Sequence, residues 1–111
     1  MHNGWIAVDL DGTLAEYDGW RGVEHIGAPV PLMLNRVKAW MAEGREVRIF
    51  TARVCQDKDG SVASVIHDWC LKHLGAALTV TNVKDYAMLE LWDDRAVQVV
   101  PNTGMRADGC Q

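Results

Sequence analysis

Cysteine is scarce and unpatterned here. Cys55, Cys70 and Cys110 are odd in number and carry no Cys-x-x-Cys spacing. That argues against a disulfide framework or a zinc ribbon and leads us to expect free thiols in a reducing cytoplasm. No apolar run approaches the roughly 18 residues that a membrane span needs. Trp5 already lies in a strand-like run, so no secretory leader is expected. Positive charge is not in excess either: 11 Lys and Arg face 15 Asp and Glu, a formal charge of −4. A protein that grips duplex nucleic acid needs a basic patch, and the composition offers none. His2, His25, His67 and His73 make no metal-ligand spacing. His67 and Cys70 share a helical face, but they read better as core-edge residues than as zinc ligands. Repeats and low-complexity segments are absent.

What is present fits one domain over residues 1–111. A chain of this length buries roughly two-thirds of its unfolded surface, enough for one α/β core. The most informative stretch is Asp9-Leu10-Asp11-Gly12-Thr13-Leu14, because the apolar run Trp5-Ile6-Ala7-Val8 precedes it. Such a run forms a buried strand, and Gly12 lets the backbone turn away after it. In open α/β sheets, ligands bind just beyond the carboxyl ends of the strands. Two carboxylates there can act as nucleophile and acid/base, and their oxygens suit a hard cation. The plainer reading is an acidic turn, since Asp-Gly is a common turn dipeptide. Asp9, Asp11, Asp93 and Asp94 together account for the acidity, because without them the charges balance at 11 against 11.

Strands are expected near 5–9, 46–50, 78–81, 89–93 and 96–100. Pro31 suits the first turn of a helix carrying Leu34, Val37, Trp40 and Met41, with Gly44 as its stop. A second helix starts near Ser61, buries Val62, Val65, Ile66, Trp69 and Leu74, and ends at Gly75. Strands alternating with helices imply a mainly parallel five-stranded sheet covered on both faces, a three-layer Rossmann-like α/β fold with the first strand central. Residues 15–30 leave room for only a hairpin-sized flap with Tyr17, Trp20 and Arg21. Residues 101–111, rich in Pro, Asn and Gly, read as an irregular tail. Gln56-Asp57-Lys58-Asp59-Gly60 reads as a solvated loop. Trp5, Trp40, Trp69 and Trp92 read as core, whereas Trp20 could stack on a base or sugar.

Later segments complete a pattern. Arg48-Ile49-Phe50-Thr51-Ala52-Arg53 is a strand ending in a hydroxyl and a guanidinium, Lys84 follows the third strand, and Leu89-Glu90-Leu91-Trp92-Asp93-Asp94-Arg95 ends in an acidic pair. This order resembles the haloacid dehalogenase (HAD) superfamily, over residues 5 to 95. Its Thr-Ala-Arg and Asp-Asp-Arg variants look closest to the small capless branch, which includes phage-type proteins and the phosphatase module of polynucleotide kinase/phosphatases. One departure is the interval from Lys84 to Asp93, only eight residues, which reduces any crossover helix to a turn around Asp85-Tyr86-Ala87.

The resemblance implies an Mg²⁺-dependent phosphomonoesterase working through an aspartyl-phosphate. Asp9 is then the nucleophile, Asp11 the general acid/base, Thr51 a donor to the phosphoryl group and Lys84 its counter-charge. Gly12, Thr13, Ala52 and Arg53 would line the substrate. The metal would be held by Asp9, the Asp11 carbonyl and Asp93 or Asp94. Dehalogenases of this fold lack a carboxylate at the Asp11 position, so phosphoryl transfer is favoured over C–halogen cleavage. Arg95 reads as an ion-pair partner of the crowded carboxylates. Without a cap, the site suits a nucleotide or nucleic-acid-end phosphate, with a sugar phosphate or other small metabolite as the alternative. Nucleic acid is not favoured by charge, and oligomerisation is one way to cover an open site. The remaining alternative is a silent phosphate- or Mg²⁺-binding module of a larger complex.

Overall fold

A computed structural model describes residues 3–109, and places the readings for His2, Cys110 and the end of the tail outside the described residues. Four strands, β1 (Trp5–Val8), β2 (Glu46–Phe50), β3 (Val80–Thr81) and β4 (Met88–Trp92), form one parallel sheet in the order β3-β2-β1-β4. Two helices, α1 (Pro31–Ala42) and α2 (Ser61–Leu74), connect the first three strands. This is a mixed α/β fold with β1 inside the sheet. The strand order is compatible with a Rossmann-like winding.

The alternation of side chains along the strands shows where the core lies. Ile6, Val8, Val47 and Ile49 share one face and pack with Met33 and Val37 of α1 and Ile66, Trp69 and Cys70 of α2. Trp92, level with Val8, meets Trp40 of α1 on the same side, with ring centroids 5.3 Å apart. Both helices therefore cover one face. Handedness explains this: β1 to β2 and β2 to β3 step in one direction, and right-handed crossovers stepping one way put their helices on one side. The return from β3 to β4 has to use the opposite face, and residues 82–87 are too few for a helix there.

Among the described residues the sheet has four strands rather than five, and neither helix covers its second face. On the second face Trp5 carries the guanidinium of Arg48, 4.5 Å from its ring, and donates from Nε1 to Asp85 at 2.9 Å. A turn at Tyr86–Ala87 takes the place of a crossover helix, as the short interval predicts. The segment read as a fifth strand folds back on itself. Val99 bridges Arg106, and Ala107 N–H donates to the Gln98 carbonyl at 2.8 Å. Pro101 and the left-handed Asn102, with φ of 68°, turn the chain before it can join the sheet.

The helix ends lie where Pro31, Gly44 and Gly75 predict, and Gly75 closes α2 in the left-handed conformation. The start of α2 is more structured than a solvated loop. Asp57 accepts from the N–H groups of Val62 and Ala63 at 3.3 and 3.0 Å, and so neutralises the positive end of the helix. Cys55 and Cys70 are free, and burial pushes the Cys70 thiol up to about 11. Among the described residues no helix is long and apolar enough to cross a membrane.

Candidate functional site

The site begins with a backbone bond. Asp9 N–H donates to the Trp92 carbonyl at 2.9 Å, tying the ends of β1 and β4 together. That bond sets Asp9 beside Asp93 and Asp94. One carboxylate oxygen from each of the three lies within 4.8 Å of the others. Among the described residues no Lys or Arg forms an ion pair with any of them. Asp9 is half-buried, and its carboxyl is pushed up to about 7 by burial first, then by the Asp93 charge and by the Asp94 hydrogen bond and charge. A backbone hydrogen bond from Leu10 acts in the opposite direction.

An all-oxygen donor set with no protein cation fits a hard divalent ion. Ligands about 2.1 Å from Mg²⁺ in an octahedron stand about 3 to 4.2 Å apart, within small side-chain adjustments of this cluster. The sign of the pH effect follows from Asp9. Between the ordinary value of 3.8 and about 7 the folded chain holds a proton that the unfolded chain has lost. Stability from this group is therefore full below pH 3.8 and falls away as pH rises through 7. A cation that replaces the proton reverses the loss. At ten times its Kd, Mg²⁺ should stabilise by about 1.4 kcal/mol, about 5 °C in Tm. The shift should be larger at pH 8 than at pH 6, as differential scanning fluorimetry can show. An equal shift at both would disconnect the metal from Asp9.

The loop after β1 is built to hold this cluster. Leu10, Leu14 and Ala15 are fully buried, and Gly12 turns between them at φ +89°. A Cβ on Gly12 would stand 2.6 Å from the Asp94 Oδ2. Thr13 secures Asp94 twice: its hydroxyl accepts from Asp94 N–H at 3.0 Å and donates to Oδ1 at 3.2 Å. Gly12 and Thr13, expected against substrate, also position a carboxylate. Gly12→Ala should lower stability by about 1–2 kcal/mol from the left-handed backbone alone. It should also displace Asp94 and so weaken any Mg²⁺ binding by the cluster, with urea unfolding and calorimetry as the measurements.

Thr51 is buried at the end of β2, beside the cavity that opens over Asp9. Its Oγ1 accepts from Arg53 N–H at 3.2 Å, which leaves its own proton to donate. Arg53 is engaged more heavily. Its side chain is 4% exposed, and it donates to both oxygens of Asp11, from Nε at 2.7 Å and from one terminal nitrogen at 2.8 Å. It also donates to the carbonyls of Val23 at 3.2 Å and His25 at 2.8 Å, and lies 4.9 Å from the centre of the Trp20 ring. Asp11 therefore faces Arg53 and stands apart from the three-carboxylate cluster. Arg95 caps Asp93 through its backbone N–H at 2.8 Å, not through an ion pair.

Lys84 does not join the cavity. It is exposed on the segment leaving β3, and Asn82, two residues earlier, takes the place at the strand end. Nothing but the rule that sites form beyond strand ends could have singled out Asn82 in advance. The cavity encloses about 1080 Å³ between Asp9, Thr51, Asp93 and the flap residues Tyr17 and Trp20. At its base the flap is stitched by Glu16 N–H to the Ala28 carbonyl at 2.8 Å. Trp69 Nε1 anchors the Gly27 carbonyl at 3.0 Å.

No family model matches the chain, and no curated protein does. Among solved structures it resembles a conserved protein coded by a locus of Bacteroides thetaiotaomicron. The TM-score is 0.59 at 22% identity, over 88% of this chain and 81% of that one. At that identity the likeness speaks for the fold alone.

Proposed function

We propose that the chain is an Mg²⁺-dependent phosphomonoesterase of the haloacid dehalogenase kind, acting in a reducing cytoplasm. The observation that carries this reading is the convergence of Asp9, Asp93 and Asp94 at two strand ends, with no ion pair to a Lys or Arg among the described residues. Asp9, Asp93, Asp94 and the Asp11 carbonyl would hold the metal, which when bound supplies positive charge for the phosphoryl oxygens.

Phosphate monoesters need such a site, because their transition state is loose and carries its charge on the phosphoryl oxygens. An Asp9 oxygen bonds to phosphorus while the bond to the alcohol oxygen breaks. Asp11, entering protonated with one of its oxygens parted from Arg53, gives that oxygen its proton. Water then adds to phosphorus, Asp11 takes its proton, and the bond to Asp9 breaks. Ester and water have become alcohol and inorganic phosphate. Thr51 would donate to a phosphoryl oxygen; neutral Asn82 would add a hydrogen bond but not the counter-charge expected of Lys84, and the cationic side chains lining the cavity are Arg53 and Arg95.

The position of Lys84 favours one second reading, a phosphate- or Mg²⁺-binding module that does not turn over. A phosphatase screen decides between them. Wild type and Asp9→Asn are compared with and without Mg²⁺ on nucleotides, phosphorylated oligonucleotides and sugar phosphates. Turnover that needs both Asp9 and metal supports the enzyme. Metal binding without hydrolysis of any of these esters supports the module.

A further inference from the structure

The flap residue Trp20 has no part in the chemistry above, and its setting is unusual for a surface tryptophan. It is 57% exposed, yet one face of its ring lies on a guanidinium that is itself fixed by four hydrogen bonds. Two of those bonds hold the flap backbone at Val23 and His25, so the loop carrying Trp20 and the group beneath it are locked together. Tyr17, 50% exposed, lines the same cavity, and the cavity is continuous with Asp9 and Thr51. A large aromatic surface is thus held in place in the cavity that Asp9 also lines, and is left open to a ligand. Its volume of about 1080 Å³ is ample for a ligand much larger than a phosphate.

Resting on the phosphomonoesterase reading, we propose that Trp20, seated on Arg53, stacks against a planar heteroaromatic ring on the leaving alcohol. The substrate class is then a nucleoside monophosphate. Stacking suits this setting because every base offers a π-face, and the cation below the indole fixes the ring without occupying its outer side. The net charge of −4 makes the mononucleotide a better fit than a nucleic-acid end.

The test compares a nucleoside monophosphate with glycerol phosphate, an ester of the same kind without a ring. Initial rates with Mg²⁺ are measured for wild type, Trp20→Ala and Trp20→Phe, alongside calorimetric binding of the nucleotide to each. Trp20→Ala should lower the ratio of kcat/KM for nucleotide over glycerol phosphate by roughly 5- to 150-fold, mostly through KM. Trp20→Phe should restore most of it. An unchanged ratio, or a 5′-phosphorylated oligonucleotide turned over faster than the mononucleotide, overturns the proposal. The two readings fail differently. If no ester is hydrolysed but nucleotide binding still depends on Trp20, the phosphatase reading falls and the stacking site stands.

Discussion

Asp9→Asn should reduce hydrolysis by at least about 10⁴-fold while making the metal-free protein more stable. On the proposed mechanism the loss follows from removing the nucleophile, and no phosphoenzyme should be trapped by acid quench of the variant. The gain follows from the electrostatics of the cluster. Asp9 lies half-buried against Asp93 and Asp94, and its carboxyl is pushed up to about 7 by burial and by those charges. A neutral amide removes that repulsion at pH 8, where the wild-type carboxyl is charged. Tm without metal should therefore rise, and the Mg²⁺-induced shift should shrink because one ligand is gone. A variant that is inactive and also less stable would point to a structural role for Asp9.

Asp11→Asn should act in the opposite direction on stability. Arg53 is 4% exposed and Asp11 20%, so the amide leaves a buried guanidinium without its carboxylate. Breaking such a pair costs about 3 kcal/mol, readable by urea unfolding. The catalytic effect should depend on the leaving group. A nitrophenyl ester departs with little need of a proton, and the variant should keep slow turnover of it. An alkyl phosphate needs the proton, and the variant should be nearly inert toward it. Equal residual activity on both ester types at saturating Mg²⁺ would remove Asp11 from the acid role. Two aspartates two residues apart are thus expected to differ in the sign of one effect and the pattern of the other.

Much of the frame was legible because local chemistry marks it. Pro31, Gly44 and Gly75 punctuate the helices through backbone preferences that tertiary packing did not override. The apolar run before Asp9 and the one before Asp93 read as strands, and parallel pairing then brings their ends together. The failures share a cause, which is that they depend on where the chain goes next. Ala96–Val100 has the composition of a strand, but Pro101 and Asn102 turn it back on itself. Both helices share a face because of crossover direction, which composition does not reveal. The resemblance sets Arg53 against substrate, and its other partners cannot be read from sequence. Its hold on Asp11 and the flap depends on three segments far apart in sequence meeting at one guanidinium. Lys84 misses the cavity because β3 spans only Val80–Thr81 and the chain then turns away toward β4.

The bond from Asp9 N–H to the Trp92 carbonyl also has a meaning for biosynthesis. As the chain leaves the ribosome, β2 is the next strand after β1, but the other edge of β1 waits for β4, the last strand of the sheet to be made. Until then the unpaired backbone of β1 is an open template for foreign strands, the usual hazard of a nascent parallel sheet. The same delay keeps Asp93 and Asp94 away from Asp9. A half-made chain can bring no acidic cluster together, so the three carboxylates meet only in the step that closes the sheet.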